Sequence, residues 1–180
     1  MENNNQLLEE ANLERNQKKA AEEKLLHFME QIKMDQNLPM AFIGGLLAAV
    51  IGGMAWAAIT VATDYQIGYM AVAVGLLVGY TTRLFGKGVD QIFGILGAAL
   101  ALLGCILGNF MTIIWLVANE QGLSIVETLT LIDFTLIPEI MSSSFSPIDL
   151  IFYGIALYEG YKFSFRQLSE VEIYENITSK

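Results

Sequence analysis

The sequence predicts an all-α, polytopic membrane protein in which four transmembrane helices form a compact bundle. Three observations lead to this prediction. Hydrophobic residues make up 54% of the 180 residues, and they fall in long blocks instead of being spread along the chain. Small residues recur at helical spacing within those blocks, as they do in tightly packed membrane helices. The basic residues lie in three short regions of the chain, which fits four crossings of a membrane.

The polar segment of residues 1–38 is predicted to be cytoplasmic and to carry an amphipathic helix. Apolar and small residues recur in it at steps of three and four, although two charged residues interrupt the seam. Leu25, Phe28 and Ile32 belong to the strongest part of this seam and are the candidate partner-docking residues. Two interpretations are open: a short coiled coil or partner-docking helix, and an amphipathic helix that rests on the membrane surface or on the bundle.

The membrane domain is predicted to extend over residues 39–166. Its four spans have the predicted bounds of about 39–62, 67–85, 90–118 and 147–165. Pro39 marks the start of the first span, because the missing N–H of a proline is tolerated in the first turn of a helix. Trp56 is predicted to lie near the far membrane interface, where amphipathic rings are enriched. Gly86 and Gly88 are predicted to give the short turn before the third span its backbone freedom.

The third span carries the longest stripe of small residues. They alternate at steps of three and four, so they share one face of the helix and let another backbone approach closely. Because the other spans carry matching faces, we expect the stripe to be the internal seam of the bundle. The candidate helix-packing residues are Gly94, Gly97, Ala101, Gly104, Gly108, Gly75, Gly79, Gly45 and Gly52.

The segment between the third and fourth spans is predicted to contain an interfacial helix on the outer side, at about residues 124–141. Ser124 and Glu127 have the spacing of a capping box. Residues 124–141 carry three acidic residues, and the stretch before Pro138 is short, which argues against a fifth span. After the fourth span, residues 167–180 are predicted to form a polar cytoplasmic tail.

The distribution of charge predicts the orientation of the chain. The basic residues lie before Pro39, in the second loop and after the fourth span begins, whereas the first and third loops contain none. The positive-inside rule therefore places both termini in the cytoplasm. The net charge of -9 and the lack of a clustered basic face argue against a nucleic-acid partner.

Two polar residues within the spans, Glu159 and Asn109, are the candidate intramembrane polar site. An ionisable group at the middle of a span costs about 2.5–3.5 kcal/mol on insertion scales. Glu159 is interpreted either as part of an ion pair with Lys162 and Arg166 near the inner interface, or as a proton or cation site. Asn109 is interpreted either as a hydrogen-bonding group between helices or as a substrate ligand.

Residues suited to catalysis are sparse in this sequence. The chain has one histidine and one cysteine, so an intrachain disulfide is impossible. No nucleophile–base pair, metal-ligand cluster or cofactor fingerprint can be assembled from the sequence. We therefore expect no enzymatic activity, no cofactor and no metal.

The resemblance to a known family rests on two segments, GKGVDQIFGILGAALALLGCILGN at residues 86–109 and SPIDLIFYGIALYEGYKFSF at residues 146–165. Through them the chain resembles a family of uncharacterised bacterial four-span inner-membrane proteins of unknown function. The resemblance covers roughly residues 39–166. It implies a multi-pass protein of the bacterial cytoplasmic (inner) membrane, and it carries over no catalytic residues.

The predicted function is that of a non-enzymatic integral membrane scaffold or accessory subunit, which acts through helix packing and partner docking. Such a protein would contact membrane lipid and would be a homo-oligomer or a subunit of a membrane complex. On this hypothesis, replacing Gly97 and Gly104 by leucine breaks assembly but not insertion. The alternative is a small oligomeric transporter or channel for protons or cations that uses Glu159 and Asn109.

Overall fold

The computed structural model describes residues 2–63, 68–133, 135, 138–139, 142 and 147–178. The described part contains seven helices and no strand, which confirms the all-α prediction for these residues. The helices are α1 (Glu2–Met34), α2 (Leu38–Thr63), α3 (Tyr69–Gly86), α4 (Gln91–Gln121), α5 (Ile125–Leu131), α6 (Pro147–Phe163) and α7 (Glu170–Thr178). The chain divides into two compact units, Asn37–Arg166 on the one hand and Met1–Gln36 with Gln167–Lys180 on the other.

Three helices of the described part, α2, α3 and α4, are long and apolar enough to cross a membrane. They have 26, 18 and 31 residues, and at about 1.5 Å per residue they are roughly 39, 27 and 47 Å long. The hydrocarbon core of a bilayer is about 30 Å thick. They lie where the first three spans are predicted. The helix at the predicted fourth span, α6, has 17 residues.

Helix α2 begins at Leu38, with Pro39 in its first turn. The side-chain Oδ1 of Asn37 accepts a hydrogen bond from the backbone N–H of Met40 at 3.0 Å. Asparagine is one of the preferred N-cap residues, because its side chain accepts a hydrogen bond from a free backbone N–H of the first turn. Proline is tolerated in that turn because it has no N–H that would need a partner. The sequence therefore specifies this helix start locally.

The turn between α3 and α4 differs from the prediction. Neither Gly86 nor Gly88 has a positive φ; the left-handed residue of this turn is Lys87, at φ 49°, and its N–H donates to the backbone oxygen of Arg83. Both glycines instead lie against the ring of Phe93, so a side chain at either position would collide with that ring. Glycine is needed there for close packing and not for backbone freedom.

Within Asn37–Arg166, four helices pack into a bundle. Helices α2 and α6 each pack against α3 and α4, and α3 also contacts α4. The buried core includes Trp56, Val74, Val78, Leu100, Ala101, Cys105 and Ala156. Large apolar side chains also point outward, such as Leu47, Ile51 and Ile95, which are 58%, 60% and 61% exposed. Outward-facing apolar residues over whole helices are typical of a surface that hydrocarbon covers.

Helix α5 begins at the predicted capping box, which is confirmed. The Ser124 side chain accepts from the backbone N–H of Glu127, whose carboxylate accepts in turn from the backbone N–H of Ser124. The prediction that one helix extends over residues 124–141 is wrong, because α5 ends at Leu131 and Ile132 is extended at φ −69° and ψ 130°. Just beyond it, the Asp133 carboxylate accepts from the N–H and hydroxyl of Thr135, a local bond that competes with helix. Residues 134, 136–137 and 140–141 of the prediction lie outside the described residues.

The start of α5 should be sensitive to acid. The Glu127 carboxylate accepts from the backbone N–H and the hydroxyl of Ser124 at 2.8 and 2.7 Å, and these bonds lower the pKa of Glu127 from its ordinary value of 4.5. A carboxyl whose folded-state pKa is lowered stabilises the fold above its unfolded-state pKa, and this stabilisation is lost as the pH falls through the folded-state value.

We therefore expect the amides of the first turn of α5 to lose protection from hydrogen exchange as the pH falls below the ordinary pKa of Glu127, after correction for the intrinsic exchange rate. In Ser124→Ala, which removes the hydroxyl, protection should already be low at neutral pH. Protection of the wild-type amides that stays constant through this pH range would contradict the prediction.

In the other unit, α7 packs against α1. A helix in the C-terminal segment is not predicted by the sequence, which is polar there. Its start is capped by Ser169, whose hydroxyl accepts from the N–H of Glu172 at 3.1 Å. Isolated helices as short as the nine residues of α7 are marginal in water, so packing against α1 is what stabilises it.

Candidate functional site between α4 and α6

A polar contact joins α4 to α6 inside the bundle. The side-chain Nδ2 of Asn109 donates a hydrogen bond to the hydroxyl of Tyr153. Both residues are half-buried. Of the two interpretations that the sequence allows for Asn109, this geometry matches a hydrogen bond between helices.

Two further groups lie one helical turn from this contact. Asp149 precedes Tyr153 by four residues on α6 and is 8% exposed. Cys105 precedes Asn109 by four residues on α4 and is fully buried. Residues four apart share a helix face, so Asp149 and Cys105 lie on the same sides of α6 and α4 as the two residues of this contact. Asp149, Tyr153, Asn109 and Cys105, here called the polar cluster, thus combine a carboxyl, a phenol, an amide and a thiol.

Glu159 is not part of the polar cluster. It follows Tyr153 by six residues on α6, which places it about 9 Å along the axis and about 240° around the helix. Its backbone oxygen lies against α3, where a Cβ added at Gly79 would be 3.0 Å from it. The structure therefore does not bring Glu159 and Asn109 together. The Nζ of Lys162 lies 5.3 Å from the ring centroid of Tyr158, a cation–π distance.

All the candidate helix-packing residues are buried. Their nearest contacts are Thr82 and Leu100 for Gly45, Val74 for Gly52, Ala156 for Gly75, Glu159 and Gly160 for Gly79, Tyr161 and Phe165 for Gly94, Gly160 and Ser164 for Gly97, Gly160 for Ala101, Val74 and Ala49 for Gly104, and Trp56 for Gly108. Each of these contacts joins a helix of the bundle to another helix or to the residues directly after α6, and all of them lie within Asn37–Arg166.

At several of these positions a backbone lies where a side chain would otherwise be. A Cβ added at Gly75 would be 2.7 Å from the backbone oxygen of Ala156, and one added at Gly160 would be 2.7 Å from that of Gly97. Contacts this short leave no space for a hydrated ion between α3, α4 and α6 at these levels. The hydroxyl of Ser164, which donates to the oxygen of Gly160 at 2.6 Å, is buried in the same contact.

Trp56 packs inside the bundle, and its predicted depth near the membrane interface stays a prediction. The ring is 2% exposed and lies against α4, where a Cβ added at Gly108 would be 3.1 Å from it. The missing side chain of Gly108 makes room for the indole. Spacing within one span could not reveal this, because the glycine and the tryptophan lie on different helices.

Three buried polar atoms within the described residues have no hydrogen-bond partner: Nε1 of Trp56 and the hydroxyls of Thr60 and Thr82. Trp56 and Thr60 are one turn apart on α2. A buried polar group without a partner costs about 1–3 kcal/mol, so these three atoms lower the stability that the packing of their side chains provides.

The candidate docking residues of α1 differ in exposure. Phe28 and Ile32 are 8% and 3% exposed, whereas Leu25 is 36% exposed. A small cavity of about 140 Å³ adjoins Phe28 and is also lined by Lys24, His27, Gln31 and Asn176. The docking role of the three residues stays a prediction, and in this structure only Leu25 among them offers its side chain to a partner.

Among the residues that the structure describes, no three His, Cys, Asp or Glu side chains are placed to hold a metal ion. No family model, curated protein or solved structure matches the chain.

Proposed function

We propose that this protein is a non-enzymatic scaffold or accessory subunit of a bacterial inner membrane, with four spans and both termini in the cytoplasm. The observation that carries the proposal is the use of the small-residue faces: the contacts of the candidate packing residues lie inside the bundle. The bundle is then a self-contained membrane anchor. A partner meets the protein outside these faces, and α1 is the element with the most exposed surface.

The proposed fourth span is α6. Its 17 residues are at the short end of the range of about 17–25 residues that cross a bilayer. It packs against α3 and α4, two of the three helices that are long and apolar enough to span. A short span flanked by longer ones is accommodated by local thinning of the bilayer.

The proposed orientation rests on the basic residues at one end of the bundle. Arg83, Lys87 and Arg166 all lie where α3 ends or just after α6 ends. By the positive-inside rule this end faces the cytoplasm.

The proposed docking surface is the seam of α1 that includes Leu25. Residues 11–20 of this helix are exposed, and Leu25 continues the seam from Ala21. An exposed helix with apolar and small residues at steps of three and four is suited to receive a second helix. The partner helix would come from a second copy of the chain or from another subunit of a membrane complex.

A photoreactive residue in place of Leu25 is expected to give one discrete crosslinked product in intact membranes. Glu23 supplies the control, because it lies about 200° around the helix from Leu25 and is exposed as well. Peptide sequencing of the product identifies a second copy or another subunit. Equal products from both positions, or none from either, would contradict docking at this seam.

A second candidate function, a proton or cation pathway, is favoured by the burial of Asp149 beside the contact of Tyr153 with Asn109. In this candidate function the ionisable group of the pathway is Asp149 and not Glu159, because Glu159 lies on a different side of α6 from Tyr153. The close packing of α3, α4 and α6 argues against a continuous water path. The function of a scaffold or accessory subunit therefore remains the first proposal.

A further inference from the structure

An apolar groove of about 510 Å³ lies on the surface of the bundle between α2 and α4. On one side it is lined by Leu38, Pro39 and Phe42, from the first turns of α2. On the other it is lined by apolar residues of α4 between Ile92 and Ala99. Since both helices begin here, the groove lies at one end of the bundle.

The turn between α3 and α4 lies at the same end. The backbone N–H of Asn37, just before α2, donates to the oxygen of Gly86 at 2.9 Å, and that of Arg166 donates to the oxygen of Gly88 at 2.7 Å. These two bonds hold the turn between the start of α2 and the segment after α6. Lys87, between the two glycines, is exposed. Because Gly86 is bonded to Asn37, the residues that follow them, Lys87 and Leu38, lie close together along the backbone, at the end of the bundle where the groove begins.

Positive charge is in excess around this turn. Arg83, Lys87 and Arg166 lie in or beside it, and Asp90 is the acidic residue of the turn itself. The residues that line the groove are all apolar. An apolar groove with cations at the same end of the bundle is complementary to a molecule with a hydrocarbon chain and an anionic head. Basic sites at the ends of membrane helices bind anionic lipid head groups in this way.

We propose that the groove between α2 and α4 binds an acyl chain of an anionic phospholipid, whose phosphate lies against Lys87. The occupant is a lipid and not a free phosphate, because the groove is lined by apolar residues over its whole length. The inference depends on α2 and α4 lying in a bilayer, and it is independent of partner docking by α1. Failure of the crosslinking experiment would leave it unaffected.

The test is native mass spectrometry of the delipidated full chain in detergent, with dioleoylphosphatidylglycerol or dioleoylphosphatidylcholine added. We expect the anionic lipid to be retained more strongly. Lys87→Ala should reduce this preference about fivefold, the equivalent of one cation beside the head group. Ala99→Phe should reduce retention of the anionic lipid by filling the groove, and because Ala99 is exposed the bundle should stay folded.

Ile106→Phe is the matched control, since Ile106 lies two turns along the same side of α4, beyond the groove. This variant should leave lipid retention unchanged. The melting temperature of each variant in the same detergent verifies that it is folded. If phenylalanine at position 99 unfolds the bundle, Ala99→Leu replaces Ala99→Phe. Equal retention of the two lipids by the wild type would overturn the anionic assignment. Equal lipid retention by Ala99→Phe and the wild type would overturn the assignment of the groove as the binding site. Lipid retention that none of the variants changes would show non-specific, detergent-like binding and would overturn the proposal.

Discussion

Replacing Gly160 by alanine is expected to destabilise the bundle by about 1–3 kcal/mol. A Cβ at this position would lie 2.7 Å from the Cβ of Ala101 and 2.7 Å from the backbone oxygen of Gly97. A backbone oxygen cannot rotate away as a flexible side chain can, so α4 and α6 must separate to admit the methyl group. This loss outweighs the gain of up to about 1 kcal/mol that alanine brings over glycine within a helix.

Gly154 supplies the matched control, because it lies on the same helix and a Cβ there would have nothing within 4 Å. Gly154→Ala should be unchanged or more stable by up to about 1 kcal/mol. Both variants can be compared with the wild type by unfolding in mixed micelles with increasing sodium dodecyl sulfate. An equal loss of stability in the two variants would show that α4 and α6 do not approach as closely as the structure has them.

The same packing changes what the glycine stripe of α4 is expected to do. The sequence predicts that leucine at Gly97 and Gly104 breaks assembly while insertion remains. In the structure Gly97 lies against Gly160, and Gly104 lies against Val74 and Ala49, all within one chain. A leucine there disturbs the fold of the chain before it can disturb any contact between chains.

The positions of the long helices could be predicted because they depend on local composition. Apolar length and the proline at residue 39 place α2 at Leu38–Thr63, one residue from the predicted span at each end. The capping box at Ser124 is equally local, since both of its partners lie within four residues. The small-residue faces follow from spacing along one helix.

The candidate site could be predicted only in part, because it depends on how helices are rotated against each other. Asn109 and Tyr153 are 44 residues apart, and no periodicity links them. Glu159 was placed by its depth along α6, but depth does not tell which neighbour a side chain faces. The preference of tryptophan for interfaces predicts a depth for Trp56, but it does not predict that the ring packs over Gly108 on another helix. The helix α7 depends on α1 in the same way.

Removing the hydrogen bond between Asn109 and Tyr153 is expected to destabilise the bundle measurably. We expect Asn109→Ala and Tyr153→Phe to be coupled by about 0.6–2 kcal/mol in a double-mutant cycle, the range of hydrogen bonds between membrane helices. The cycle isolates the bond, because each single variant removes one partner of it. Unfolding in mixed micelles measures the four proteins, and strictly additive losses would contradict a direct bond in solution.

Proton uptake by vesicles that contain the wild type or Asp149→Asn decides between the two proposed functions. If the polar cluster only joins α4 to α6, vesicles that contain the wild-type protein should take up protons no faster than empty vesicles when a pH-sensitive dye reports on their interior. If it forms a pathway, the wild type should conduct, and Asp149→Asn should abolish the flux because an amide at that position cannot bind and release a proton. The close backbone contacts of Gly75 with Ala156 and of Gly160 with Gly97 favour the first result, since a proton path through the bundle would need room for water between these helices.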